Sequence, residues 1–287
     1  MALDQGQSDE REMSFLEHLE ELRWHIVRAF ISIIVFTIVA FASARWIFEN
    51  VVFAPAKPTF PTFKFLCRLG EWLNYDGLCI TEIPFLVQSR NMTGQFTMHI
   101  MASFVLGIII AFPYVAWELW RFVKPGLQPR ERKYSRGAVA AVSFLFFLGV
   151  SFGYYIIAPW MVYFLSNYSI SDMVVNEFDI TSYVSTVVML VFGAGILFQL
   201  PVVVYFLTKV GIITPKLLRE YRKHAVVIIL IVAAILTPPD PLSQGLISIP
   251  LYLLFEISIL ISAFVAKRKA KEELEEELRE KELGGDS

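Results

Sequence analysis

Charge is scarce in this sequence: only 18% of its 287 residues are Asp, Glu, Lys or Arg, against 56% hydrophobic, and the mean hydropathy is +0.57. So little polar material cannot cover a water-soluble globule of this size, and the bilayer is the solvent to expect. The net charge of −2 exerts no overall pull on nucleic acid, so the placement of charge matters more than its sum. Two cysteines, Cys67 and Cys79, are too few for a thiolate zinc site. No G-x-x-x-x-G-K-S/T loop, H-E-x-x-H helix or G-x-S-x-G elbow occurs, so nucleotide or metal-dependent hydrolysis has no recognisable signature. Neither a metal nor another cofactor is expected, and energy for any work must come from elsewhere. No internal repeat is evident.

What is abundant is long apolar sequence. The first run, from Ile26, ends in Ala42-Ser43-Ala44, the small-residue pattern of a signal-peptide cleavage site. The acidic residues before it (Asp4, Asp9, Glu10, Glu12, Glu17, Glu20, Glu21) and the spans after it read instead as an uncleaved first membrane helix. Six spans are expected, at about 26–48, 96–117, 137–165, 183–208, 225–236 and 242–266. A hydrocarbon core of about 30 Å needs about 20 helical residues. The fifth stretch, at about 18 Å, falls short and suggests a hairpin with its neighbour or a locally thinned bilayer. Basic residues crowd 121–136, 209–224 and the Lys267-Arg268-Lys269 start of the tail, while 166–182 and 237–241 have none. The basic segments belong inside, and parity places loop 49–95 outside and both termini in the cytoplasm. The domain plan is a tail at 1–13, a membrane domain at 14–266 opening with an amphipathic helix at 14–25, and a charged tail at 267–287 that is a solvated helix or disordered.

Ser14 and Glu17 form a capping box, and Phe15, Leu19, Leu22 and Ile26 share one face, as in a helix lying on the membrane before turning into the first span. The other face is acidic. Glu17 and Glu21 form a like-charged pair that an external cation would relieve, although Glu20 can pair with Arg23 and Glu21 with His25. In the first inner loop Glu131 stands alone among Lys124, Arg130, Arg132 and Lys133; it either balances local charge or, with Glu21, supplies a second cytoplasmic carboxylate. Successive side chains of an extended peptide point in opposite directions, so gripping two adjacent arginines needs acceptors from two sides.

Within the spans, Pro113, Pro159, Pro201 and Pro250 each free a backbone carbonyl and bend a helix, a hint of concavity. Glu256 and Gln199 are polar at membrane depth, where burial favours a neutral Glu256; each is a functional candidate or an interhelical tie. Cys67 and Cys79 lie in the Pro- and aromatic-rich outer loop, either bonded or as two free thiols.

Several motifs together resemble those of the TatC family, the core subunit of the twin-arginine protein translocase. They are Phe15-Leu16-Glu17-His18-Leu19-Glu20-Glu21-Leu22-Arg23, Phe53-Ala54-Pro55, Phe122-Val123-Lys124-Pro125-Gly126-Leu127 with Glu131-Arg132, and Thr237-Pro238-Pro239-Asp240-Pro241-Leu242-Ser243-Gln244. The likeness runs over 13–266. It implies an all-α integral membrane protein, a cup-shaped bundle of six transmembrane helices with the fifth and sixth short. Such a protein is no enzyme; it binds twin-arginine signal peptides and moves folded proteins across the bacterial cytoplasmic (inner) membrane on the proton motive force. The implied signal-peptide residues are Glu21 and Glu131, with Glu17, Arg23, Arg121 and Phe122; Pro55 and Asp240 are sensitive loop positions, and Gln199, Glu256 and Gln244 are intramembrane polar or partner contacts. The partners implied are TatA-type and TatB-type single-span subunits, membrane lipid and further copies in an oligomer, with no nucleic acid. Two features depart from the pattern: Gln199 stands where many relatives carry Glu, and the outer loop is long and bears the Cys pair. A proton-coupled solute transporter using Glu256 and Gln199 is the alternative, and it lacks the paired repeats such folds show. An intramembrane hydrolase lacks a nucleophile and base pair.

Overall fold

A computed structural model describes residues 15–84, 86–123, 135–171, 173, 176–236 and 241–284. Helix α1 (Phe15–Ala42) is unbroken, so the amphipathic segment expected over 14–25 and the first span are one continuous helix. No Gly or Pro lies within it to interrupt the ladder. Ser43 ends it, and α2 (Ala44–Ile47), a π-helical turn (Phe48–Val52) and a 3-10 turn (Ala54–Ala56) lead to α3 (Pro61–Leu73), a helix inside the first loop. Strand β1 (Leu86–Gln88) precedes α4 (Gly94–Val123). Then come α5 (Ser135–Phe152), a π-helical turn (Gly153–Ile157), α6 (Ala158–Asn167) and β2 (Glu177–Asp179). The chain closes with α7 (Ile180–Leu197), α8 (Leu200–Val210), α9 (Pro215–Glu220), α10 (Arg222–Leu236) and α11 (Pro241–Gly284).

Among the described residues, five segments are long and apolar enough to cross a bilayer: Leu22–Ala42, Gly94–Phe122, Gly137–Asn167, Ile180–Val210 and Gln244–Lys271. The fifth apolar stretch, α10, has 15 residues, about 22 Å at 1.5 Å each, short of the core as expected. The sixth is longer than expected: α11 runs for 44 residues and carries the charged tail as continuous helix, because the Lys/Glu-rich sequence after 266 consists of strong helix formers.

Two of the four prolines coincide with breaks. Pro159 opens α6 after a π-helical turn, and Pro201 opens α8 after the break at Phe198 and Gln199; Pro113 and Pro250 lie inside continuous helices. The carbonyl that a proline at 159 deprives of its helical partner is that of Tyr155. It accepts a hydrogen bond from the Thr62 hydroxyl on α3.

The loops after the first and third spans meet on one face. β1 and β2 pair in parallel, Leu86 with Glu177 through Gln88 with Asp179. The Tyr154 and Tyr183 hydroxyls donate to the carbonyls of Val51 (2.9 Å) and Val52 (2.8 Å), Phe53 stacks on Tyr183, and Pro55 is fully buried. Cys67 and Cys79 are disulfide-bonded, which resolves the alternative left open by sequence. Packing in the bundle is close at glycines. A Cβ on Gly107 of α4 would lie 2.8 Å from the Thr37 backbone nitrogen of α1, and one on Gly149 of α5 would lie 2.6 Å from the Ala194 carbonyl of α7.

A side chain at 107 meets the Thr37 hydroxyl first and the Thr37 backbone directly behind it. Gly107→Val is therefore expected to lower stability in detergent by about 1–3 kcal/mol, read by thermal unfolding, with no full rescue by Thr37→Ala, which removes the hydroxyl and leaves the backbone in place. A second expectation concerns Asp179, which caps α7. Hydrogen bonds from the Thr181 hydroxyl and from the backbone N–H groups of Arg90 and Thr181 hold its carboxyl below the usual range. A depressed carboxyl stabilises the fold above its unfolded pKa and loses that contribution as pH falls through the folded value. Acidification below about pH 4 should lower the protection of the Arg90 amide against hydrogen exchange relative to its intrinsic rate at each pH, and Asp179→Asn should abolish that pH dependence of the protection.

Candidate functional site

At the bundle end away from the paired loops, the early turns of α1 meet the last turns of α4 around one carboxylate. Glu118 is 1% exposed. Its Oε2 lies 2.5 Å from His25 Nδ1 and 3.4 Å from Arg28 Nε, while Arg121 approaches Oε1 at 3.9 Å. The Tyr114 hydroxyl, one helical turn earlier, bonds the same carboxylate. Arg28 also lies 3.0 Å from His25 Nδ1. One ring nitrogen cannot donate to the carboxylate and accept from the guanidinium at once, so Glu118, with two oxygens, is the shared acceptor of both. A buried carboxylate with several donors is a strong geometric tie, and removing it strands its partners.

This network also positions residues singled out from sequence. Phe122 meets His25 edge-to-face, with ring centroids 6.5 Å apart. Arg121 is exposed and its guanidinium lies 5.4 Å from the centre of the Trp117 ring. Arg23 is exposed two residues before His25. The side chains of Glu17 and Glu21, and all of Glu131 and Asp240, lie outside the described residues. The His25 imidazole, which sequence offers as a partner for Glu21, meets Glu118 through its Nδ1.

The remaining polar candidates are engaged elsewhere. Glu256 is not the isolated intramembrane acid that its place in the last span suggests: Arg222, at the start of α10, pairs with it at 2.8 Å and the Tyr252 hydroxyl donates to it at 2.9 Å. Gln199, at the α7–α8 break, donates from Nε2 to the Val142 carbonyl at 3.1 Å. Gln244 donates to the Leu230 carbonyl at 3.0 Å, tying α11 to α10, and a bond between the Thr208 and Ser262 hydroxyls joins α8 to α11.

Sequence reasoning passed over Glu118, Arg28 and Tyr114 and saw His25 only as a local partner for Glu21. The signal was faint: Tyr114, Glu118 and Phe122 recur at i, i+4 and i+8, and His25 and Arg28 at i and i+3. Nothing in either pattern links one helix to the other. Glu118→Ala leaves the buried imidazole and the Arg28 guanidinium without their acceptor and is expected to destabilise the protein by about 3 kcal/mol. Glu118→Gln, which keeps an acceptor oxygen, should lose distinctly less, both measured by thermal unfolding in detergent.

Comparison with known proteins fits this architecture. The family described as "Sec-independent protein translocase protein (TatC)" matches residues 17–250. The Sec-independent protein translocase protein TatC of Blattabacterium sp. subsp. Periplaneta americana is 39% identical over 264 residues, covering 91% of this chain and 99% of that protein. TatCy of Bacillus subtilis is 34% identical over 261 residues, covering 91% and 92%. A crystal structure described as "Twin Arginine Translocase Receptor- TatC" superposes with a TM-score of 0.69 at 30% identity, over 87% of this chain and 99% of that one. With most of its length matched in sequence and in fold, the chain belongs to the TatC family of Sec-independent protein translocase proteins, multi-pass membrane proteins whose role is transport.

Proposed function

We propose that this chain is the receptor and core subunit of a twin-arginine translocase in the bacterial cytoplasmic membrane, with both termini in the cytoplasm and no enzymatic activity of its own. Its inner face would bind the paired arginines of a signal peptide through Glu21 and Glu131, with Glu17, Arg23, Arg121 and Phe122 around them. The observation that carries this reading is the tie at Glu118, which fixes α1 against the end of α4. Glu21 lies one turn before His25 on α1, and Glu131 follows the end of α4, so the tie holds together the two elements from which the acceptors come. Two carboxylates on separate elements suit two guanidinium groups that point in opposite directions.

The distribution of basic residues supports the sidedness. The short α10, its hairpin with α11 and the Gln244 contact offer a surface suited to TatA-type and TatB-type single-span partners, and an oligomer of this chain would multiply it. The lack of a nucleotide-binding loop fits transport driven by the proton motive force. The solute-transporter alternative gains nothing from the structure, since Gln199 and Glu256 are both engaged in ties between helices.

The test is binding of a twin-arginine signal peptide and of its Lys-Lys counterpart to the purified protein in lipid. Lysine cannot make the planar bidentate pair, so the Lys-Lys peptide should bind far more weakly. Glu21→Ala with Glu131→Ala should weaken the arginine peptide by about 2 kcal/mol or more, roughly 30-fold in Kd. Equal binding of the two peptides, or full binding by the double variant, would defeat the assignment.

A further inference from the structure

The helix inside the first loop, α3, divides its circumference into three sectors. Phe63 and Gly70 are buried against the protein, with Leu66 beside them. Lys64, Arg68 and Glu71 form an exposed charged sector. Between these lie Phe65, Leu69 and Trp72, at i, i+4 and i+7 and so on one stripe. Phe65 is 66% exposed and Trp72 is 79% exposed. A helix packed on a protein in water needs only two sectors, one buried and one polar. A third sector that is apolar, aromatic and uncovered calls for a third medium.

The position of α3 identifies that medium. Thr62, in its first turn, bonds the carbonyl of Tyr155, which lies inside the apolar segment Gly137–Asn167. Two residues on from Pro61, the ring of Phe63 sits 6.3 Å from that of Tyr163 in the same segment. Tyr155 precedes the end of that segment by 12 residues, about 18 Å of helix. Helix α3 therefore lies alongside a membrane span rather than beyond its end, and its uncovered stripe looks onto whatever surrounds the span. The Cys67–Cys79 bond fastens the helix to the turn that follows; there Asn74 reverses the chain in the left-handed region (φ 51°), and Tyr75 is a further exposed aromatic.

We infer that α3 is an interfacial helix whose Phe65–Leu69–Trp72 stripe is embedded among the lipids at the edge of the bilayer, with Lys64 and Arg68 placed to reach lipid phosphates. Aromatic residues are favoured at that level because their rings tolerate both media, and long basic side chains extend toward headgroups. The occupant is lipid rather than a second protein because the stripe continues the lipid-facing surface of the span beside it and is flanked by cations. The inference depends on the chain crossing a bilayer and not on signal-peptide binding, so either can fail alone.

The test places the photoreactive residue p-benzoylphenylalanine at Phe65, Trp72, Lys64 or Glu71, one at a time, in the full-length protein. Each variant is reconstituted in nanodiscs of phosphatidylethanolamine and phosphatidylglycerol. All four positions are exposed, so folding is preserved. Irradiation followed by intact-mass analysis should show lipid adducts at 65 and 72 in several-fold higher yield than at 64 and 71. Brominated lipids should quench the emission component that is lost in Trp72→Phe. Equal lipid yields at the four positions, or adducts at 65 and 72 to protein without lipid, would overturn the proposal.

Discussion

Inside a bilayer no water is available to hydrogen-bond the backbone, so every carbonyl and amide must find its partner within the protein. Much of the structure follows from that constraint. It makes the spans helical, and it dictates what happens wherever a helix is interrupted. The Tyr155 carbonyl that Pro159 excludes from the ladder is taken up by Thr62. The irregular backbone after the first span gives its Val51 and Val52 carbonyls to two tyrosine hydroxyls from the third and fourth spans. The Gln199 and Gln244 amides donate to carbonyls of neighbouring helices. The long first loop is thus not an appendage, since its hydroxyl and carbonyls complete hydrogen bonding that the bundle alone leaves open.

The first span depends on two different kinds of contact with the second. Along its length, Gly107 lets backbone approach backbone at Thr37, which yields dispersion contact without directionality. At one end, the Glu118 carboxylate collects donors from His25 and Arg28, which fixes rotation and register. Close packing alone permits sliding and ion pairing alone permits hinging; together they leave α1 one seat. The surface proposed for signal-peptide binding, at the start of α1 and after the end of α4, would draw on that rigidity, because acceptors must stand in fixed relation to grip two guanidinium groups.

Much of this was legible in the sequence, and the reasons for the exceptions are physical. Spans are read from runs of apolar residues, a local property, so the five long spans, the shortness of the fifth apolar stretch and the break at Pro201 were all accessible. The continuity of α1 was less so, because the acidic face before Leu22 suggested a change of environment, whereas a helix without Gly or Pro has no reason to break there. Glu256 looked isolated because its partner Arg222 is 34 positions away, and Glu118 looked unremarkable because its partner on α1, His25, is 93 positions away. Pairings of that range depend on which helix faces change neighbours, and no periodicity within one element carries that information. The motif-level likeness reached the family directly, because short runs such as Phe122–Leu127 carry it without any long-range pairing.

The continuity of α11 has a mechanical consequence. Forty-four residues of uninterrupted helix make a rod of about 66 Å, beginning at the short hairpin with α10 and ending in the Lys- and Glu-rich tail. Because no flexible joint separates tail from span, the tail cannot wander as a tether would. Any tilt or rotation imposed on the membrane-embedded part is delivered undiminished to its far end, as a pointer magnifies the movement of its pivot.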